Sequence, residues 1–266
     1  PPARPGRPAR RGPGPGGDGL GGGQVEGRQA VLELLAARRR AVREVWLAEG
    51  IDTSGIVAEI TALARSAGVA VRPVARGRIA AAAGTTAPQG VVAFAEDVAG
   101  VELSTLARRR PGASPPFLVV LDGVTDPHNL GAVLRTALCA GATGAVVGRH
   151  RSAHLSPAAV KAAAGAVEHL PMALVAGVPA ALAELRAAGM WTVGLDSGGE
   201  ADLWSLEVAT EPVALVLGAE GGGLSRLARQ RCQVVARVPL AGPLPSLNVA
   251  AAAALGCFEV ARRRRA

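Results

Sequence analysis

Residues 239–249 read Pro-Leu-Ala-Gly-Pro-Leu-Pro-Ser-Leu-Asn-Val and lead directly into an alanine-rich run that continues to Arg262. Three prolines and one glycine within seven residues are incompatible with a regular helix or strand. The alanines that follow favour a helix. This stretch therefore predicts a built loop at the start of a C-terminal helix.

Two other segments have the same character. Residues 126–135 read Asp-Pro-His-Asn-Leu-Gly-Ala-Val-Leu-Arg, and residues 217–224 read Leu-Gly-Ala-Glu-Gly-Gly-Gly-Leu. Each follows a short apolar run and opens a helical pattern, which places its polar groups at the carboxyl end of a strand. Open α/β sheets bind ligands at that edge. The three loops therefore predict one composite site.

The second half of the chain alternates short apolar runs with helical patterns. This alternation predicts an open parallel α/β sheet with helices on both faces. The predicted strands cover residues 117–121, 144–147, 191–194, 213–217 and 234–238, and the predicted helices include residues 130–140, 179–188 and 248–262.

The first half predicts a smaller α/β unit. A helix is expected over 29–39, a second one capped by Ser54 and ending near residue 67, and strands over 42–47, 69–74 and 91–95. Composition divides the chain further: residues 1–24 are rich in Pro, Gly and Arg and are expected to be disordered. The predicted organisation is a tail (1–24), a domain (25–97), a linker (98–116) and a C-terminal domain (117–266).

The net charge of +8 indicates a polyanionic partner. Residues 1–116 hold 16 arginines and 10 acidic residues, so the cationic surface is expected mainly on the N-terminal half and on the arginine tail 262–265. No run of 18 apolar residues or apolar leader is present, which favours a cytoplasmic protein without a membrane partner. The three widely spaced cysteines predict ordinary buried thiols, and His150 and His154 lack a third ligand for a metal.

The motifs Asn-x-Gly-Ala-x-x-Arg (129–135), Leu-Gly-x-Glu-Gly-x-Gly (217–223) and Pro-x-x-Gly-x-x-x-Ser-Leu-Asn-Val (239–249) occur in this order. Together they resemble the motifs of SpoU-type RNA ribose 2′-O-methyltransferases of the SPOUT superfamily. Residues 26–32 and 88–93 are similar to the N-terminal domain of the bacterial large-subunit rRNA guanosine enzymes. The resemblance implies a C-terminal trefoil knot, an N-terminal RNA-binding domain and a homodimer that acts on 23S rRNA rather than DNA.

The resemblance also implies S-adenosylmethionine as methyl donor. The expected binding residues are mainly backbone groups in the second and third motifs: Gly218, Val238 and Leu247, with Leu217 and Leu240 as neighbours. Backbone recognition explains the abundance of glycine and proline there, because these residues set chain direction and permit close approach.

Five polar residues are implied as catalytic groups: Arg135, Asn129, Ser246, Asn248 and Glu220. Arg135 is the family's proposed catalytic residue. A guanidinium stays protonated because its pKa is above about 12, which favours phosphate binding and polarisation of the 2′-hydroxyl, although the role of general base stays open. Ser246 has an alternative as the N-cap of the last helix. Glu220 is expected to fix a loop and orient Arg135 or Asn129.

Three other functions fit parts of the sequence. A tRNA ribose methyltransferase and an antibiotic-resistance rRNA methyltransferase would share the motifs, and a non-catalytic ribosome-assembly factor would share the fold. The substantial N-terminal domain favours the rRNA enzyme over the minimal tRNA type. The Gly12-x-Gly14-x-x-Gly17 pattern lacks a preceding strand, so it does not predict a dinucleotide site.

Overall fold

The structure is a computed structural model that describes residues 19–265. Its N-terminal part is a four-stranded sheet in the order β1-β4-β2-β3, in which β2 and β3 are parallel and the other pairs antiparallel. The elements are β1 (Gln24–Glu26), α1 (Arg28–Ala37), β2 (Val42–Ala48), α2 (Gly55–Ser66), β3 (Ala70–Val74), α3 (Arg76–Ala82), β4 (Val91–Ala95) and α4 (Leu103–Ala107).

The C-terminal part is a seven-stranded sheet in the order β7-β6-β5-β10-β8-β11-β9, and all its strand pairs are parallel. Its elements are β5 (Phe117–Asp122), α5 (Pro127–Cys139), β6 (Gly144–Gly148), α6 (Pro157–Ala163), α7 (Ala166–His169), β7 (Met172–Val175), α8 (Val178–Ala187), β8 (Trp191–Leu195), β9 (Ala201–Asp202), β10 (Val213–Gly218), α9 (Arg226–Arg231), β11 (Val234–Arg237) and α10 (Val249–Arg263).

The central strands β5 and β10 are buried along their whole length, as expected for a parallel sheet covered on both faces. Phe117, Val119 and Leu121 pack on the face that α5, α6 and α10 cover. Leu118 and Val120 pack on the opposite face, against α4, α8 and α9. The predicted open parallel α/β sheet is thus present, and each strand predicted for it lies within one residue of an observed strand.

The structure adds detail at two of the predicted boundaries. The expected disordered tail of residues 1–24 overlaps ordered structure, because Leu20 is buried and its carbonyl accepts a hydrogen bond from the N–H of Leu155. Residues 1–18 lie outside the described residues. The expected linker 98–116 contains α4, whose Leu103 and Leu106 are buried against α8. Apolar side chains with a partner surface order both segments.

Most arginines of the cationic tail expected at 262–265 form ion pairs or hydrogen bonds with other residues of the chain. Arg262 and Arg263 form ion pairs with Glu259 on α10, and their guanidinium groups lower the pKa of that carboxyl. Arg264 donates to the backbone carbonyls of four residues, which lie just before β5 and β10: Pro115, Pro116, Ala209 and Glu211. Burial lowers the pKa of Arg264. These groups therefore fasten the end of α10 to the sheet.

The two sheets are joined by a buried ion pair. Arg40, between α1 and β2, donates from Nε and Nη2 to both carboxylate oxygens of Glu168 on α7, at 3.0 and 2.6 Å. The side chains are 7 and 2% exposed. Arg40 Nη1 also donates to the carbonyls of Gly22 and Glu96. The bidentate ion pair and a hydrophobic core that includes residues of both sheets join the two parts into one body.

Two further expectations concern membranes and metals. Among residues 19–265, no helix is both long and apolar enough to cross a bilayer. Within the same residues, no group of three or more His, Cys, Asp or Glu side chains is arranged to hold a metal ion.

The helix α2 begins after Ser54 as predicted, but the Ser54 side chain makes no capping hydrogen bond.

Candidate active site

The loop after β10 is held closed by its own backbone. Ala219 and Gly223 exchange two N–H to carbonyl hydrogen bonds of 2.9 Å, which leave Glu220 at the tip of a tight turn. A side chain on Gly218 would lie 2.1 Å from the carbonyl carbon of Gly223, so only glycine fits there. Close packing of the backbone thus explains the glycine at 218, and Gly221 has a φ of 73°, which favours glycine in the turn.

A cavity of about 340 Å³ lies between this loop and the proline-rich loop before α10. All five residues predicted to bind the methyl donor line it: Gly218, Val238, Leu247, Leu217 and Leu240. Glu220 and Ser246 line it as well. The cavity lies at the carboxyl ends of β8, β10 and β11, and β10 and β11 both pair with β8. We call it the knot-side pocket, after the knot that the sequence resemblance implies.

Three of the predicted catalytic residues form one hydrogen-bonded group. Asn248 is the N-cap of α10, and its Oδ1 accepts from the N–H groups of Ala250 and Ala251. Its Nδ2 therefore points away from the helix and donates to Oδ1 of Asn129, at 3.2 Å, and to Oε1 of Glu220. One carboxamide joins the loops after β5, β10 and β11.

The Asn129 side chain is fixed from its other end. Asn129 lies in the first turn of α5, is 8% exposed, and donates from Nδ2 to Oδ2 of Asp126, at 3.1 Å. Asp126 is the N-cap of α5, because its Oδ1 accepts from the N–H of His128. Both helix starts thus hold the carboxamides of Asn129 and Asn248 face to face.

The other two predicted catalytic residues are less constrained. Ser246 is exposed at the mouth of the knot-side pocket, and Asn248 rather than Ser246 caps α10. Arg135 is exposed on α5, and its side chain forms no hydrogen bond or ion pair within residues 19–265. It lies six positions after Asn129 on the helix, which corresponds to a rotation of about 240° and a rise of about 9 Å. Arg135 therefore lies on a different side of α5 from Asn129, where it is exposed to solvent.

Sequence reasoning missed two aspartates that support the site. Asp196 follows β8 and lines the knot-side pocket, where it accepts from the N–H of Leu224 and pairs with Arg229 at 2.8 Å. Asp122 ends β5 and accepts from the N–H of Ser225 at 2.7 Å. Their position at the carboxyl ends of predicted strands was the signal that could have identified them.

The three cysteines were expected to be buried thiols, and Cys139 differs from this expectation. Cys257 is buried and Cys232 partly buried, and burial raises the pKa of each to about 12. The Asp122 carboxylate contributes to the shift at Cys232. Cys139, by contrast, is exposed at the end of α5. Because a thiol with such a raised pKa stays protonated at neutral pH, Cys232 and Cys257 are unsuited to nucleophilic chemistry.

Two family models match the chain and cover most of it. Residues 116–258 match the SpoU rRNA Methylase family, and residues 24–99 match the RNA 2′-O ribose methyltransferase substrate binding domain. The first match covers the parallel sheet with the knot-side pocket, and the second covers the four-stranded sheet. The chain belongs to the SpoU rRNA methylase family and is an RNA methyltransferase.

Individual relatives agree with this assignment over nearly their full length. The chain is 40% identical to the 23S rRNA (guanosine-2′-O-)-methyltransferase RlmB of Pseudomonas aeruginosa, across 91% of this chain and 96% of that protein. The crystal structure of the SpoU methyltransferase AviRb from Streptomyces viridochromogenes with AdoMet has a TM-score of 0.77, 27% identity, and coverage of 91 and 90%. An AdoMet-bound rRNA methyltransferase from Sinorhizobium meliloti has a TM-score of 0.74, 28% identity, and coverage of 90 and 86%.

Proposed function

We propose that the protein transfers a methyl group from S-adenosylmethionine to the 2′-hydroxyl of a guanosine in 23S rRNA. The observation that carries this proposal is the position of the Asn129–Asn248–Glu220 group beside the knot-side pocket. The relative from Pseudomonas aeruginosa is named for the same reaction. We propose that the reaction takes place in the cytoplasm, where an rRNA substrate would be available.

The knot-side pocket suits the proposed donor. Leu217, Leu240 and Leu247 supply apolar surface for an adenine ring, and backbone groups at Gly218 and Val238 are available to hydrogen-bond its polar edge. Two solved relatives are described with AdoMet bound. When bound, the donor supplies an electrophilic methyl group, and the remaining task of the protein is to align the ribose oxygen with it.

The polar residues divide that task. The exposed guanidinium of Arg135 binds the phosphate next to the target ribose and polarises the 2′-hydroxyl. Asn129 and Asn248 hold their carboxamides in fixed orientations, with Glu220 as the acceptor that fixes Asn248. Ser246 at the pocket mouth offers a hydroxyl to the ribose. The role of Arg135 as a general base is the alternative.

We propose that residues 25–97 bind the RNA and residues 117–266 carry out the transfer. The match of residues 24–99 to a substrate-binding domain supports this division. We also propose that the C-terminal domain contains the trefoil knot of its superfamily. In support, β11 lies beyond β8, whereas α10, which follows it, returns to pack against α5 and β10.

We propose that the protein is a homodimer with an interface on α10. Phe258 is 52% exposed and Leu255 is 37% exposed on this helix, which begins at the candidate active site. Phe258→Asp is expected to convert the dimer to a monomer in sedimentation velocity, because a charge on an apolar interface is costly. Phe258→Leu is the matched control. A wild-type protein that sediments as a monomer at micromolar concentration would contradict the proposal.

The proposed reaction is tested with tritium-labelled S-adenosylmethionine, unmodified 23S rRNA and bulk tRNA. The wild type is expected to label a guanosine ribose in 23S rRNA, and Arg135→Ala to lower the rate about 100-fold, the effect of removing one group that stabilises the reacting oxygen. Arg186→Ala, which removes an exposed arginine from α8, is the control. Label in tRNA alone would overturn the rRNA assignment, and donor binding without transfer would indicate an assembly factor.

A further inference from the structure

A second cavity, of about 530 Å³, lies in the N-terminal part of the chain. Its lining residues lie between 28 and 90, whereas those of the knot-side pocket lie between 195 and 252. We call this second cavity the N-terminal pocket. Its described lining residues are Arg28, Ala48, Ile51, Arg76, Ile79, Ala80, Pro88, Gln89 and Gly90. Two of the sequence motifs singled out above, at 26–32 and 88–93, meet there, although about 60 residues separate them.

The walls of this pocket are apolar and its rim is cationic. Ile79 and Ala48 are buried in the floor, and Ile51 and Pro88 form partly exposed walls. The two charged side chains among its described lining residues are Arg28 and Arg76. An apolar cavity with positive charge at its edge matches a nucleotide, which has an aromatic base with apolar faces and an anionic phosphate.

Both rim arginines are held in place by backbone carbonyls. Arg28 donates from Nε to the carbonyl of Gln89, and Arg76 donates to the carbonyls of Glu49 and Gly50. Neither forms an ion pair within residues 19–265. These contacts leave guanidinium N–H groups on each arginine for a ligand, because a guanidinium has five. The rim is therefore pre-oriented for phosphate.

The wall formed by the 84–90 loop is also fixed. The Glu26 carboxylate is fully buried and accepts from the N–H of Gly84, the hydroxyl of Thr85 and the side chain of Gln24. Gly90 has a φ of 73°, and a side chain there would lie 3.0 Å from Ile51 Cδ1. The positive φ favours glycine in this turn, and a larger residue would crowd Ile51 in the pocket wall.

We propose that the N-terminal pocket holds one unpaired nucleotide of the RNA substrate. The base enters between Ile51, Ile79 and Pro88, and the adjoining phosphate binds Arg28 and Arg76. Sequence-specific RNA recognition commonly uses unstacked bases that leave the helix and insert into protein pockets. This inference rests on the proposed function, because it assumes that RNA is the substrate.

The test fills the pocket without disturbing the core. Ala80 lines the pocket and is exposed on α3, so Ala80→Leu adds side-chain volume to the pocket from an exposed position. Ala183→Leu is the matched control, since Ala183 is exposed on α8 outside the pocket. The full-length variants are titrated with unmodified 23S rRNA in a filter-binding assay. Ala80→Leu is expected to raise Kd about tenfold, the loss of one base contact.

A second variant tests the rim. Arg28→Ala is expected to lower the slope of log Kd against log salt by about one, because one phosphate contact is lost. Arg39→Ala, which removes an exposed arginine beyond the other end of α1, is expected to leave that slope closer to wild type. Abasic substitution within the bound RNA should then identify one base whose removal weakens the wild type but not Ala80→Leu.

The outcomes separate this inference from the proposed function. Wild-type methyl transfer to 23S rRNA, together with unchanged RNA binding by Ala80→Leu and Arg28→Ala, would overturn the pocket and leave the reaction intact. Weakened binding by Ala80→Leu in a protein that transfers no methyl group would support the pocket and reject the reaction. Equal melting temperatures of the variants and the wild type show that the effects are local.

Discussion

Asn248→Asp is expected to lower methyl transfer to 23S rRNA about 1000-fold with little loss of stability, the upper range for a disrupted active-site donor. Aspartate caps a helix as well as asparagine does, so its Oδ1 can still accept from the N–H of Ala250. Its second oxygen, however, would face Oδ1 of Asn129 and Oε1 of Glu220, where the wild type presents a donor. The loops after β5 and β10 would then be pushed apart from α10.

In Asn248→Asp, the rate of methyl transfer should fall strongly while the free energy of unfolding changes little. The variant's free energy of unfolding is expected within about 1 kcal/mol of wild type, since the two carboxylates that would repel each other, at positions 248 and 220, are both exposed to solvent. Asn248→Ala should instead lose about 1 kcal/mol, the usual contribution of an N-cap. Both quantities are measured by urea unfolding and by single-turnover transfer. Transfer by Asn248→Asp within tenfold of wild type would show that the carboxamide does not organise the site.

A second substitution can restore the contact. Glu220→Gln in the Asn248→Asp background supplies a donor where Glu220 supplied an acceptor, so the two side chains can bond with reversed roles. We expect the double variant to recover part of the lost transfer, whereas Glu220→Gln alone loses activity. A double variant as inactive as Asn248→Asp would mean that Glu220 has a role beyond holding Asn248.

Arg40→Ala is expected to reduce the free energy of unfolding by about 3–5 kcal/mol, the range for breaking a buried ion pair by removing one partner. The Glu168 carboxylate would remain buried without its charge partner, and the carbonyls of Gly22 and Glu96 would lose a donor. The measurement is urea-induced unfolding followed by tryptophan fluorescence. This is the largest stability effect that we expect from a single substitution in the chain.

Two comparisons make the Arg40 prediction specific. Arg72 pairs with Glu44 at 2.8 Å on the surface, and Arg72→Ala should cost less than about 1 kcal/mol. The apolar pair Arg40→Met with Glu168→Leu should recover much of the loss, because no charge is then left buried. Equal costs for Arg40→Ala and Arg72→Ala would show that burial does not strengthen the Arg40–Glu168 pair.

The fold could be predicted from sequence where burial is uniform. The residues of β5 and β10 form unbroken apolar runs, which mark central strands of a parallel sheet. Shorter elements gave no such signal: β9 has two residues, and α6 is alanine-rich without a clear apolar period. Tertiary packing rather than local pattern stabilises these elements, so the sequence did not reveal them.

The candidate site shows a similar division. The three loops could be placed at the carboxyl ends of strands because each follows an apolar run. The contact between Asn248 and Asn129 could not be predicted, since 119 residues separate them and it depends on the packing of α10 against α5. The spacing of Asn129 and Arg135 gives the angle between them around α5. It does not give the position of the exposed Arg135 relative to the other two loops, which depends on how α5 packs.

The Arg40–Glu168 pair has a consequence for how a target is chosen. Because it holds the two sheets as one body, the separation between the N-terminal pocket and the knot-side pocket is set by the protein rather than by the RNA. A fixed distance between the two pockets would require a matching distance between two positions in the RNA. We expect the protein to select a ribose by its distance from an anchored nucleotide, so that lengthening the intervening RNA by one nucleotide shifts the methylated position instead of preventing methylation.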